Sequence, residues 1–512
     1  MSVRTPARRN TTPEPGDGKP QPLGSRLLEL SRHSVIYGIG GLVSRFLAVF
    51  MLPLYTSYVS AGDYGRIELL MSVMAVVVVV VRGGANFGFI RFYFLDKDPE
   101  YRRRLVRTVF WAQMTYSTLA LALCVLFASE IANGLGVAYE PGQGLQGSGT
   151  SLVIATAVLL WVNVNYAQMT NLFRAEQRSV AFSIATLTNI GITVPLTVIL
   201  VVVYKEGPLG IIVGNLSGTL LVFIALLGYR REQLGLQFDR HLLRTVNKFG
   251  VPLMAAGLAM WVTNFGDRFM LSKLLHGNYR LTELGQYSLA YKISSAMVLL
   301  FTAFQVAWPA FAYSIEDEDE AKRAYSYILT YLMFVAAWAA VGLSLFAPWI
   351  VRLLGKKPGY WPAQNAIPAL AYSSVFFAGF IVVTIATGRM RQTKFNWVAA
   401  TVAAIVNFAL NLWLIPAYGM LGAAYATLAA YILLMLMRTW NAQRIYRVEY
   451  QWRRVASILL AAGALTGIGE ALPQSIPVAL GLTLVFPLLL APLGFYLPAE
   501  RKRLRRLLPA AH

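Results

Sequence analysis

What most constrains this chain is a recurrence: apolar stretches long enough to cross a bilayer follow one another along nearly all of its 512 residues. Crossing roughly 30 Å of hydrocarbon takes about 20 helical residues. Lipid offers no hydrogen-bond partner to an open backbone, so each span must be a helix that satisfies its own peptide groups. Only 13% of the residues are charged and 57% are hydrophobic, whereas a soluble domain runs near a quarter charged. The expected fold class is an all-α membrane protein.

Windows between polar breaks give about fourteen transmembrane helices. They begin near residues 35, 65, 105, 150, 180, 209, 249, 285, 325, 361, 395, 420, 453 and 476, and short Pro/Gly breaks alone separate the pairs at 395/420 and 453/476. Lys and Arg accumulate in short cytoplasmic loops. With the N-terminus inside, roughly three quarters of the 45 Lys and Arg residues fall in the tails and even-numbered loops, among them Arg102-Arg103-Arg104, Arg230-Arg231, Arg453-Arg454 and Arg501-Lys502-Arg503. Both termini are therefore expected to be cytoplasmic. The net charge of +21 then reflects topology and contact with membrane lipids, and no nucleic-acid partner is expected. The acidic run 316–320 reads as a solvated helix start.

Residues 1–33 are polar, rich in Pro, Gly and Arg, and lack the apolar core of a signal peptide. They are expected to form a disordered cytoplasmic tail. Two matches hint at a duplication: Tyr37-Gly38 and Phe249-Gly250 are 212 residues apart, and so are Gly207-Pro208-Leu209-Gly210 and Gly419-Met420-Leu421-Gly422. The expected organisation is an N-terminal six-helix lobe at 34–233, a pseudo-symmetric second lobe at 234–446, two appended helices at 447–498 and a basic cytoplasmic tail at 499–512. Parallel repeats of this kind place a substrate site at their interface.

Several chemistries lack their residues. Cys124 is the single cysteine, and His33, His241, His276 and His512 are scattered, so neither a disulfide nor a metal site is expected. Gly38-Ile39-Gly40-Gly41 opens an apolar helix with no strand before it, which suits close helix packing, and no Walker lysine motif follows. The longest outward loop, 130–150, holds only Glu130 and Glu140, with nothing to orient them as an acid/base pair. The chain is expected not to be an enzyme.

Charges inside spans are the informative residues. Arg45, Arg82, Arg91, Arg268 and Lys292 lie there, and each costs about 2.5–3.5 kcal/mol at a bilayer centre on insertion scales. Arg45 sits about 15 Å into the first helix. Arg82 precedes Gly83-Gly84, where the helix can bend. Arg91 lies close to Asp96-Lys97-Asp98 and within reach of the interface. Asp267-Arg268 forms either a self-contained ion pair or the lining of a gate, and Lys292 lies about two turns from a helix end. Guanidinium groups present paired donors and stay charged, so a cavity dominated by them suits phosphate. Asp63, Asp267 and Glu68 are the acids available for coupling to H+ or Na+; no cofactor is expected.

At these residues the chain resembles the polysaccharide or oligosaccharidyl-lipid flippases, the O-antigen and exopolysaccharide exporters of the MATE-like superfamily. The resemblance runs from about Ser34 to Tyr446. It rests on Leu52-Pro53 with Gly62-Asp63-Tyr64-Gly65, on Phe87-Gly88-Phe89-Ile90-Arg91-Phe92-Tyr93, and on Asp267-Arg268 with Gly285-Gln286-Tyr287-Ser288-Leu289-Ala290. Its fullest stretch, 407–431, carries Asn407, Asn411, Ile415-Pro416, Tyr418-Gly419 and Gly422-Ala423-Ala424. The resemblance implies a two-lobed bundle that carries an undecaprenyl-diphosphate-linked oligosaccharide from the cytoplasmic to the periplasmic leaflet of a bacterial inner membrane by alternating access. It also implies substrate contact by Arg45, Arg82, Arg91, Arg268 and Lys292, and an association with other glycan-assembly proteins. The rival readings are a multidrug cation antiporter of the same superfamily, a membrane glycan polymerase, ligase or glycosyltransferase, and a noncatalytic scaffold in glycan assembly.

Overall fold

The computed structural model describes residues 47, 49–138, 149–277, 279–390, 392 and 394–496. In chain order its helices are α1 (Leu52–Tyr58), α2 (Ala61–Leu95), α3 (Pro99–Leu126), α4 (Ala128–Leu135), α5 (Gly149–Ala175), α6 (Ser179–Val198), α7 (Gly207–Tyr229) and α8 (Arg240–Leu274). There follow α9 (Arg280–Ser314), α10 (Glu318–Leu345), α11 (Ala347–Leu354), α12 (Ile367–Arg389), α13 (Lys394–Tyr418), α14 (Met420–Ile445), α15 (Trp452–Ala471) and α16 (Ile476–Leu489). A π-helical turn, Ile199–Val203, extends α6, and a 3-10 helix, Pro358–Ala366, leads into α12.

Eleven helices among the described residues are long and apolar enough to cross a membrane. The chain is a multi-pass membrane protein. The expected starts from 65 onward fall at α2, α3, α5 to α10 and α12 to α16, while the first, near 35, lies outside the described residues. The 14-residue α16 is shorter than a full span. Sequence periodicity did not foresee α4 and α11. Each has 8 residues, each follows a 28-residue helix, and each begins after a break, at Phe127 and Phe346. Such segments are too short to register as apolar spans.

Capping residues set the helix starts. Ser60 accepts from the Asp63 amide at 3.1 Å, Asp98 from Tyr101 at 3.0 Å, Asp239 from Leu242 at 2.9 Å and Asp317 from Glu320 at 2.6 Å. Each satisfies a backbone donor that a first turn leaves unpaired. Asp317 also explains the acidic run at 316–320, which does open a helix.

The two glycine turns 212 residues apart are built alike. Gly207, the first residue of α7, and Gly419, just before α14, adopt φ of +55° and +57°. Three residues on, Gly210 lies against the backbone of Leu200, and Gly422 against that of Leu414. A side chain at Gly422 would push its hairpin apart, whereas one at Gly210 would meet a tighter contact than usual.

Lipid removes the hydrophobic drive between helices, so small residues and polar bonds decide which helices touch. Two contacts position the charged residues of the bundle. Helix α2 lies along α8, and it crosses α9 where Gly65 meets the Leu281 carbonyl and Gly285 meets the Ala61 carbonyl.

Candidate functional site

The crossing of α2 and α9 brings the first turns of both helices into backbone contact. It sets Glu68, one turn beyond Gly65, opposite Lys292, two turns beyond Gly285. Lys292 donates from Nζ to Glu68 Oε1 at 2.5 Å and to the Tyr64 hydroxyl at 2.6 Å, and it lies over the Tyr64 ring. From α8, Arg268 reaches the other carboxylate oxygen, with Nε 3.7 Å from Glu68 Oε2. Its Nη1 donates to the Asn264 carbonyl at 2.8 Å, and its guanidinium stacks 4.4 Å from the Tyr291 ring centre. Glu68 and Arg268 are buried, whereas the Lys292 side chain keeps 34% exposure. One acid of the chain's first half thus holds two cations of its second half.

Beside this cluster, Asp267 is only 1% exposed. It accepts from Tyr287 at 2.7 Å, Asn411 at 2.7 Å and Thr427 at 2.9 Å. Three neutral donors from α9, α13 and α14 therefore satisfy it, and Asn411 donates in addition to Asn407. Charge-assisted bonds of this kind are strong and fix geometry. They anchor the end of α8 and so aim Arg268 at Glu68.

Asp63 has a different task. It accepts from the Ser60 hydroxyl at 2.7 Å and from Arg66 at 2.8 Å, within the first turn of α2. The geometry makes it part of a helix cap.

Toward the other end of α2, Gly83 departs from helical geometry at φ +53° and ψ −169°. Gln113 donates to the Val81 carbonyl at 3.2 Å beside that break. Arg82 lies at the bend, half-buried, with Nε lacking a hydrogen-bond partner among the described residues and with the like charge of Arg174 nearby. Fourteen residues separate it from Glu68, about 21 Å along a helix axis. The basic positions therefore form two stations rather than one cluster.

Arg91 is exposed and stacks 4.2 Å from the Phe249 ring centre. Close by, Gly84 and Gly250 bring the α2 and α8 backbones together, and Gly88 lies against Val246. A shallow, open surface runs along this end of α8 and carries Arg240, Arg244, Asn247 and Lys248 with Leu243 and Val251. Arg45 lies outside the described residues.

A further groove, about 580 Å³ in volume, runs between α9 and α10. Ala296, Leu299, Leu300, Gly342 and Leu343 are among its walls. It begins one helical turn from Lys292, because residues four apart share a helix face.

Of the five cations singled out in the sequence, the structure joins Arg268 and Lys292, places Arg82 at a second station and leaves Arg91 on a stacked, exposed site. The partners that complete the first station, Tyr64, Tyr287, Tyr291, Asn411 and Thr427, were not singled out as site residues. The only signal for Tyr64, Tyr287 and Asn411 was their place in the resemblance motifs.

A family model described as polysaccharide biosynthesis protein matches residues 58–357, which include Tyr64, Glu68, Arg268 and Lys292. The lipid III flippase of Escherichia coli (strain K12) is 24% identical over 416 residues, which is 77% of this chain and 92% of that protein. An uncharacterized membrane protein of Methanocaldococcus jannaschii is 24% identical over 246 residues, 46% of this chain and 45% of its own length. The chain thus matches under half of that archaeal relative. Among solved structures, the lipid II flippase MurJ in an inward closed conformation superposes with a TM-score of 0.71 at 17% identity, covering 88% of this chain and 98% of that one. A multidrug resistance MATE family transporter of the MOP superfamily, facing inward, gives a TM-score of 0.63 at 13% identity, with 85% and 99% coverage. At these identities the likeness is one of fold.

Proposed function

The chain belongs to the polysaccharide biosynthesis protein family, and on that premise we propose that it is a flippase for an anionic lipid-linked glycan. The substrate in this reading is an undecaprenyl-diphosphate-linked oligosaccharide. It passes from the cytoplasmic to the periplasmic leaflet of a bacterial inner membrane, for O-antigen or exopolysaccharide assembly, and both termini of the protein are cytoplasmic. Relatives named as lipid III and lipid II flippases support the class of substrate.

One observation carries the reading: Arg268 and Lys292 converge on a single carboxylate, one turn from an apolar groove. The two cations suit a diphosphate, and the groove suits an isoprenoid tail that stays in the bilayer. In the proposed cycle the diphosphate enters at the basic end of α8, meets Arg82, and then replaces the Glu68 carboxylate at Arg268 and Lys292. Arg45 is proposed to engage the diphosphate together with Arg82, and Arg91 to attract it at entry. Exchange at Glu68 frees α2 from α8 and α9, so that the lobe 34–233 rocks against the lobe 234–446 with α15 and α16 riding along. A ligand drives such a change only through its differential affinity for the two states, and displacing Glu68 supplies that difference. Glu68 is also the acid best placed to couple H+ or Na+, since Asp63 is tied into a helix cap and Asp267 to three neutral donors. Other glycan-assembly proteins are the proposed partners.

The structural likeness to a multidrug transporter raises the cation-antiporter reading. That function needs a carboxylate available to a cationic drug. Glu68 is occupied by two cations and Asp267 by three donors, which favours the anionic substrate.

The test is transport of a labelled lipid-diphosphate glycan in proteoliposomes. Wild type equilibrates the label across leaflets, and Arg268→Ala with Lys292→Ala slows it by about tenfold or more. An unchanged rate in that folded double variant, or uptake of a drug cation in place of the glycan, would overturn the reading.

A further inference from the structure

Among the described residues, the buried Arg230 and Arg268 are matched to carboxylates, and the buried Arg438 is not. Arg230 forms two 2.8 Å hydrogen bonds to Glu176, and Arg268 has Glu68, the Asn264 carbonyl and the Tyr291 ring. Arg438 of α14 is 6% exposed, and its sole hydrogen bond among the described residues runs from Nη2 to the Asn396 carbonyl at 2.8 Å. Among those residues its Nε and Nη1 have no partner, and no neighbouring carboxylate offsets its burial. The Phe380 ring centre lies 5.2 Å from the guanidinium carbon.

A further polar group on the same face is also unmatched. Asn441, one turn along the same helix face, is 8% exposed, with Nδ2 lacking an acceptor among the described residues. A buried donor left unmade loses its hydration without compensation. An isolated buried cation is costlier still. Every one of these groups can donate, so the missing species is an acceptor that carries negative charge and several oxygens.

Its depth is readable from the surroundings. Trp440 and Trp397 are 50% and 67% exposed, Phe395 packs on Trp440, and Arg444 stacks 3.7 Å from the Trp440 ring centre. Exposed Trp with flanking Arg marks the headgroup level of a bilayer. The site lies where α13 begins and α14 nears its end, on the face of the bundle that carries the basic connections.

We propose that Arg438 and Asn441 form a phosphate-binding site at the headgroup level of α12, α13 and α14, separate from the Glu68 station and independent of the flippase reading. The phosphate is that of an anionic membrane lipid or free phosphate, and the two sources share the same chemistry here.

Thermal unfolding of the full chain in detergent separates them, with dioctanoyl phosphatidylglycerol, inorganic phosphate and dioctanoylglycerol as the three additives. Phosphatidylglycerol raises the wild-type midpoint by roughly 2–4 °C, and dioctanoylglycerol does not. Arg438→Leu loses at least half of that rise, and Arg438→Lys keeps more of it. A phosphate-induced rise with the same dependence on Arg438 assigns the site to the free anion. Should Arg438→Leu fail to fold, Asn441→Leu supplies the comparison and shows a reduced rise. No rise in wild type with either phosphate source, or a full rise in Arg438→Leu or Asn441→Leu, overturns the proposal.

Discussion

The seam between α2 and α8 is closed in two different ways at its two ends. Near Glu68 it is closed by charge: the Glu68 carboxylate of α2 faces Arg268 of α8, with Lys292 and Tyr291 joining from α9. Near Gly84 it is closed by shape: glycines that let two backbones meet, with Arg91 merely laid over Phe249. A charged contact can be traded for another anion, whereas a steric contact either fits or does not. In the proposed cycle, ligand response therefore belongs to the Glu68 end, and the Gly84 end serves as a steric joint.

The sharpest way to break this contrast is at the steric joint. A Cβ at Gly250 would run into the Gly84 carbonyl, and the obstacle is backbone. Overpacking of this kind costs about 1–3 kcal/mol, so Gly250→Leu should separate α2 from α8 there and reduce glycan transport by about 10–100-fold. Initial rates in proteoliposomes, with size-exclusion profiles to verify folding, check it. A wild-type rate would mean that this end need not close.

The charged end should respond in kind rather than degree. Glu68→Gln leaves Arg268 and Lys292 facing each other without an anion. Breaking a fully buried pair costs about 3–5 kcal/mol, and the partial exposure of Lys292 brings the expected loss nearer 1–3 kcal/mol. Pyrophosphate, no longer competing with the carboxylate, should bind about tenfold more tightly. Calorimetric titration reads this, and weaker or equal binding would argue against Glu68 as the competing anion. Exchanging the pair sharpens the point. Glu68→Lys combined with Lys292→Glu should regain about 1–2 kcal/mol of the stability lost in Glu68→Lys alone, as a double-mutant cycle of unfolding midpoints would reveal.

Much of the fold was legible because lipid leaves a chain few options. Apolar length alone located α2, α3, α5 to α10 and α12 to α16. The short α4 and α11 escaped because eight residues carry no spanning signal. The cations were legible for a similar reason, since Arg268 and Lys292 are conspicuous in apolar surroundings. Their counter-ion was not. Glu68 lies 224 residues from Lys292 in the chain, and the sequence offers it as a coupling acid near a helix end, not as their counter-ion. The donors on Asp267 are likewise 144 and 160 residues away at Asn411 and Thr427. One sequence records no pairing over such distances. Arg438 was overlooked for a subtler reason: seven residues from the end of α14, it reads as a side chain that snorkels to the interface, and burial among α12, α13 and α14 is a tertiary fact.

Arg91 offers the smallest effect and a useful control on the comparison. It belongs to the steric end, is exposed, and makes a cation–π contact with Phe249. Exposed contacts of this type contribute about 0.5–1 kcal/mol. Arg91→Ala should therefore lower the unfolding midpoint only slightly and change transport by about twofold at most, through weaker attraction of the diphosphate at entry. Raising the salt concentration should erase that residual difference, because screening acts on exposed charges and spares the buried Arg268. A loss in Arg91→Ala as large as that of the Arg268→Ala, Lys292→Ala pair, persisting at high salt, would place a binding station at the Gly84 end and remove the division of labour along the seam.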